Sequence, residues 1–388
     1  MDGVVLKPGK DKALRNRHHW IFSGAVAGLP DFENGDLLPV RAADGGLLGH
    51  GYFNRKSSII GRMVSFGDEP PEDAVRRHVR EALDLRRTFF DETLTNACRL
   101  INAEGDHLPG FIVDRYDDIL VVQIGTLGAD KLKPLLLETL DGELQPRGIC
   151  EASDLPSRRE EGLPPAGGRL AGEEVDSVII REDGLRFRVT PGRGQKTGFF
   201  LDQREMRKLV RETSAGRRVL NAFAYTGAFS VYALAGGAAS ADAVDTSEAA
   251  LTLAGENIEL NGYSEEQARL VVADVFDYLR RPEGEYDYII LDPPAFARRR
   301  GDVVAACRGY KDINRLAIQQ VKPGGLVLTC SCSHHVDEKL FRQVVFQAAA
   351  ETGRQVRVLQ SHRQGFDHPV NIYHPETEYL KGLLLYVD

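Results

Sequence analysis

Three features of the sequence predict an α/β protein whose second half is built on a mostly parallel sheet with helices on both faces. From about residue 191 to residue 388, apolar runs of strand length alternate with runs of helix length, a pattern that crossovers between parallel strands satisfy. Residues 219–245, VLNAFAYTGAFSVYALAGGAASADAVD, read as a strand breaking at Asn221, a small-residue turn to Gly227, an apolar helix and a short strand closing on Asp245. The run from Tyr288 to Leu291 is apolar throughout, as a central strand covered on both faces requires.

With 388 residues the chain has room for two or three domains, and boundaries are expected near 71 and 190. The start, MDGVVLKPGKDK, lacks an apolar run of signal-peptide length. No stretch reaches the roughly 18–20 apolar residues of a membrane span. A cytoplasmic protein with no membrane partner is therefore expected. Five cysteines, an odd number in a long chain, suit a reducing compartment better than a disulfide framework. The formal net charge of −8 argues against an indiscriminate polyanion binder but leaves room for local basic surfaces.

Residues 1–71 read as a small β-rich module of short strands separated by Gly and Asp-Gly turns. Lys7, Lys10, Lys12, Arg15 and Arg17 crowd into eleven positions, followed by His18, His19, Trp20 and Phe22. Cations beside aromatics can hold phosphates and stack on unpaired bases, so RNA contact is expected here. A solvated loop over a core containing Trp20 and Phe22 is the alternative.

Residues 72–190 suggest a second, α+β module. Pro70-Pro71 marks its start, and Val75, Val79, Leu83 and Leu85 give residues 72–90 one apolar face, with the arginines taken as mainly solvent-facing. Residues 98–125 read as two strands, 131–140 as a helix, and SVIIREDGLRFRVTP as a hairpin turning on Asp183-Gly184. The segment 157–168, SRREEGLPPAGG, reads as a mobile loop.

The third module, 191–388, carries the chemistry. Asp202 is expected to cap a helix running to Arg211, with Gln203 in its first turn either facing a cofactor or simply starting the helix. Ser247 should cap the next helix, which ends at Asn261-Gly262, and a third strand closes on Asp274. In open α/β sheets the loop after the first strand receives a ligand at a helix start. Only Gly227 is present there, so the G-x-G-x-x-G of a dinucleotide site is missing, as is a G-x-x-x-x-G-K-[ST] loop. A cofactor with an adenosine and no phosphate fits better, and S-adenosylmethionine is the expected one. Asp245 is placed for its ribose hydroxyls and Asp274 for its adenine amino group.

Two further strand ends meet on the same rim: Asp292-Pro293-Pro294-Ala295-Phe296 and the pair Cys330 and Cys332. Prolines fix the backbone, so Asp292 to Pro294 can hold a carboxylate and a carbonyl toward a planar base. A thiolate beside them supports addition to C6 of a cytosine, which makes C5 able to accept a methyl group; Asp292 would act near N3. Cys330, Cys332, His334 and His335 could instead bind metal, but C-x-C followed directly by His-His lacks zinc spacing, and no metal is expected. Arg298, Arg299 and Arg300 are placed either to grip RNA phosphates or to sit in solvent. Methylation of a guanine or adenine nitrogen would need no thiol, and a non-catalytic RNA-binding assembly factor would need no turnover; both remain open alternatives.

At NAFAYTGAF, AVDTSEAAL, LDPPAF, the SCS of TCSCS, and the late DHPV with PETEYLKG, the sequence resembles the bacterial large-subunit ribosomal RNA methyltransferases that form 5-methylcytosine. Those proteins carry an N-terminal PUA β-barrel, a central small α+β domain and a C-terminal Rossmann-like class I methyltransferase domain, and the resemblance covers nearly the whole chain. It implies cofactor contacts from Gln203, Asn221, Phe223, Tyr225, Thr226, Gly227, Asp245, Asp274 and Asp292, with Asp292 also at the target base. It favours Cys332 as nucleophile, because the family cysteine lies in Ser-Cys-Ser, and leaves Cys330 in reserve. Large-subunit ribosomal RNA is the implied partner, and the oligomeric state stays open, a homodimer being one possibility. Ala295 stands where other RNA cytosine-5 methyltransferases carry a second cysteine, so the base that removes the C5 proton is unassigned.

Overall fold

The computed structural model describes residues 3–194, 196–297 and 299–388. The chain forms two compact units. The first comprises residues 1–181, 189–201 and 366–377, and so holds the 1–71 module and the 72–190 module except for 182–188; the second comprises 182–188, 202–365 and 378–388.

The second unit is the α/β part. Its seven-stranded sheet is built from β1 (Arg218–Ala222), β2 (Ser240–Asp245), β3 (Leu270–Val272), β4 (Tyr286–Leu291), β5 (Val321–Ser331), β6 (Val356–His362) and β7 (Lys381–Val387), in the order 3-2-1-4-5-7-6. Strands β1 to β5 pair in parallel and β7 runs antiparallel between β5 and β6. The helices are α1 (Arg204–Thr213), α2 (Ala228–Ala235), α3 (Glu248–Leu260), α4 (Val275–Arg280), α5 (Val303–Gln320) and α6 (Glu338–Thr352). Ile289, Leu291, Val327 and Leu385 of the sheet share a core with Ile313 and Leu316 of α5 and Phe341 of α6. Because β1 lies beside β4 and β4 beside β5, the carboxyl ends that carry Asn221, Asp292 and Cys332 open on one rim. Asn221 lies inside β1 rather than at its break.

Asp202 is not the cap of α1. It lies in a short 3₁₀ turn, buried, where its Oδ2 accepts the hydroxyl of Tyr379 at 2.6 Å, and Gln203 takes the cap position. The expected cap at Ser247 forms, accepting the amide of Ala250, and Asp337 caps α6 in the same way by accepting that of Leu340.

In the first unit, six strands in residues 4–66 form one sheet around Val4, Leu6, Ile21, Val40, Phe53 and Met63. A five-stranded sheet with helices Pro71–Phe89 and Leu127–Leu144 follows; residues 98–125 hold three strands, Ala97–Asn102, Phe111–Tyr116 and Ile119–Ile124, instead of two. The hairpin about Asp183-Gly184, whose turn belongs to the second unit, also forms, both residues having positive φ as its tight turn demands.

Arg77, Arg80 and Arg87 are exposed as expected, but buried ion pairs correct the reading at Arg86 and in segment 157–168. Arg86 is not in solvent: it stands eleven residues after Val75, three helical turns along the same apolar stripe, and pairs with both oxygens of Asp106 at 2.6 and 2.8 Å. Segment 157–168 is not a mobile loop but a helical turn, Pro156–Glu160, and the start of strand Ala166–Gly172. Buried Arg158 donates to Ile124 O and Asp130, and buried Glu161 accepts from Asn54 and Arg62.

The same unit gathers His19, His78, His107 and His374, with ring centroids 5.1 Å apart for His19 and His107 and 5.3 Å for His78 and His107. Burial pushes all four below the ordinary histidine value, His78 down to about 3. The folded state thus keeps neutral rings that the unfolded chain would protonate. Their stabilising contribution is complete above the ordinary 6.5 and is lost as pH falls below it, at up to about 1.4 kcal/mol per pH unit per histidine. The thermal midpoint is expected to stay level from about pH 8 to 7 and to drop from about pH 6.5 to 4. His78→Phe, whose ring does not titrate, should drop less steeply; equal slopes for parent and variant would contradict this account.

Candidate active site

The turn between β1 and α2 is held in an unusual backbone path. Phe223 (φ 64°), Tyr225 (φ 47°) and Gly227 (φ 75°) all lie in the left-handed region, which costs non-glycine residues about 1–2 kcal/mol each. A side chain at Gly227 would place its Cβ 2.8 Å from that of Ala254 on α3, so α2 and α3 meet closely only with glycine there. Asn257 of α3 pins the turn by donating to Thr226 O at 3.0 Å. Asp245 pins it from the other side, accepting Tyr225 N at 2.9 Å on one oxygen and Ser247 N at 3.0 Å on the other. The carboxylate expected at a ribose therefore also shapes the loop, and its oxygens keep lone pairs for a diol.

Asn221 donates to Ser230 Oγ at 3.0 Å, while its own buried Oδ1 has no partner among the described residues. Gln203 donates to Asp292 Oδ1 at 2.6 Å, and its buried Oε1 likewise has none among the described residues. Unsatisfied buried oxygens are costly, and two on one rim suit a ligand that brings donors. Asp274 is exposed after β3 and caps α4 by accepting Asp277 N at 3.0 Å; the amide of its neighbour Ala273 bonds Asp245 O, placing both acids on the same edge.

Beside this rim the Asp292-Pro293-Pro294 turn meets the end of β5. The Cys332 sulfur lies 4.0 Å from Pro293 O and is half-buried. Ser333 Oγ accepts Ala297 N at 3.1 Å and contacts the Tyr310 hydroxyl at 2.9 Å, tying the turn to β5 and α5. Cys330 is different. It is wholly buried, its sulfur 3.2 Å from that of Met206, and burial, with Asp292 nearby, pushes its thiol well above the ordinary value. A thiol held protonated in the core is disfavoured as a nucleophile. Phe223, Phe276, Phe296 and Tyr310 form a row of ring contacts from the loop to this turn.

Sequence reasoning assigned nothing to Phe276, Tyr310, Ser333, Tyr379 or Lys381. The last is 5% exposed, heads β7, and donates to Ser333 O at 2.7 Å. A lone lysine opening the apolar run GLLLYV was the available signal.

The amino-terminal cations Lys7, Lys10, Lys12, Arg15 and Arg17 are all exposed; Lys7 bonds Gly24 O and Arg15 pairs with Asp11. Beside them a recess of about 460 Å³ is lined by Lys10, Leu14, His18, Trp20 and Phe22. Phe22 is 51% exposed and is not core, while Trp20 is half-buried and donates to Glu104. Arg299 and Arg300 are exposed, and Arg298 lies outside the described residues. Among the described residues, the metal-type donor group is His18, His374 and Glu376 in the first unit, away from the cysteine pair in sequence. No helix among the described residues is long and apolar enough to cross a membrane.

The model of the S-adenosylmethionine-dependent methyltransferase family matches residues 162–360, and that of the PUA-like domain residues 4–66. The chain is 41% identical over 391 residues to the ribosomal RNA large subunit methyltransferase I of Shewanella denitrificans and 40% identical over 386 residues to that of Serratia proteamaculans, covering 98% of both partners in each case. The chain belongs to this family. The crystal structure of SMU.776, described as a methyltransferase and complexed with SAH, superposes over the whole of both chains with a TM-score of 0.86 at 25% identity. S-adenosylmethionine is the cofactor of the family, and the orphaned oxygens of Gln203 and Asn221, the strained turn and the Asp245 carboxylate suit it.

Proposed function

We propose that this protein methylates carbon 5 of a cytosine in large-subunit ribosomal RNA, with Cys332 as nucleophile and Asp292 at the base. The observation that carries the reading is the half-buried Cys332 sulfur 4.0 Å from the Pro293 carbonyl, next to an Asp292 oriented by Gln203. The RNA class rests on the names of the relatives. S-adenosylmethionine supplies an electrophilic methyl group, held by Gln203, the Asn221 to Gly227 turn, Asp245 and Asp274. Addition of the Cys332 thiolate at C6 makes C5 enamine-like; once C5 is methylated and loses its proton, the C6–S bond breaks and sulfur departs as thiolate. Asp292 steadies the ring near N3. Residues 1–71 act as the PUA-like RNA-binding domain through Lys7, Lys10, Lys12, Arg15 and Arg17, 72–190 as the central domain, and 191–388 as the methyltransferase domain with the arginine run at 298–300 contacting phosphates.

The test is transfer from labelled S-adenosylmethionine to unmodified large-subunit RNA, followed by digestion to nucleosides. Label in 5-methylcytosine is expected. Label on a guanine or adenine nitrogen would overturn the cytosine reading, and SAH binding without any transfer would favour an assembly factor.

A further inference from the structure

Lys381 is a buried cation whose partner is a neutral carbonyl. Its ammonium donates to Ser333 O at 2.7 Å, and among the described residues no carboxylate lies within ion-pair distance of it. A buried charge left this way is costly unless another charge forms beside it. The strand register identifies where. Lys381 stands opposite Ser331 in the β5–β7 pairing and bonds the carbonyl of Ser333, so Cys332 is the residue between its two points of attachment. Burial pushes the ammonium down to about 8, while the nearby Cys332 sulfur acts to raise it; Asp337 and Glu378 also face the ammonium, more weakly, and Tyr310 faces the sulfur.

We propose that Lys381 is the counter-charge that holds Cys332 as a thiolate, a positioning residue for the nucleophile. When both groups are neutral, the Sγ–H proton passes to Nζ, leaving thiolate and ammonium. The sulfur electron pair makes the S–C6 bond and returns to sulfur when that bond breaks, with Nζ protonated throughout. The pairing operates below about pH 8, where Lys381 is charged. This rests on the reading of Cys332 as nucleophile.

Alkylation of Cys332 by iodoacetamide, followed against pH by peptide mass spectrometry, reads the sulfur without RNA or methyl transfer. In the parent the midpoint should fall about one unit or more below the ordinary cysteine value of about 8.5. Lys381→Met should bring it back, slowing alkylation at neutral pH about tenfold, and Lys381→Arg should keep it low. An ordinary midpoint in the parent, or the same midpoint in parent and Lys381→Met, overturns the proposal; the parent profile alone decides if that variant does not fold. A low midpoint with label on a purine nitrogen would leave the ion pair standing and remove the cytosine reading. An ordinary midpoint with 5-methylcytosine formed would do the reverse.

Discussion

Cys332→Ala is expected to lower methyl transfer to large-subunit RNA by about a thousandfold or more, because removing a covalent nucleophile removes the pathway rather than a single contact. Cys330→Ala should keep activity within a few-fold. The two sulfurs are two residues apart on one strand end, yet their surroundings separate them: Cys330 is sealed against Met206 with its thiol pushed up, and Cys332 is half-buried at the Asp292-Pro293-Pro294 turn. Deleting the Cys330 sulfur should instead cost about 1–3 kcal/mol through the cavity it leaves. Single-turnover transfer, read together with thermal unfolding of both variants, checks the pair. Full activity in Cys332→Ala would remove the covalent mechanism.

Glu182→Gln is expected to destabilise the second unit by about 3–5 kcal/mol. Glu182 is fully buried and accepts Arg204 Nε at 2.9 Å, Arg207 Nε at 2.7 Å and the Tyr232 hydroxyl at 3.0 Å, while both arginines are themselves at most 1% exposed. The amide keeps the shape but removes the carboxylate charge that both buried guanidinium groups face and turns an N–H donor toward them. Replacing all three charged residues with apolar ones of similar volume should cost less than the single change, because none of the three charges then has to be buried. Denaturant unfolding monitors both, and a loss below about 1 kcal/mol for Glu182→Gln would show that water or rearrangement neutralises the pair.

Periodicity carried the architecture. Alternating apolar runs marked the strands of the second unit, and the strand-turn-helix at 219–235 placed the loop, because each signal is local: side-chain alternation and turn chemistry act within a few residues. The carboxylates Asp245, Asp274 and Asp292 were legible for the same reason, each standing just past an apolar strand. Buried charge was not legible. Arg86 read as solvent-facing and Arg158 and Glu161 as part of a loop, and no local signal marked Glu182 or Arg204 as buried, because what makes a charge tolerable inside is a partner far along the chain. Asp202 read as a cap until Tyr379, 177 residues away, claimed its carboxylate. The choice between Cys330 and Cys332 rested on a resemblance until the fold put one sulfur in the core and the other on the rim. Lys381 joined them only because β7 returns antiparallel beside β5, a pairing across 50 residues that no local pattern encodes.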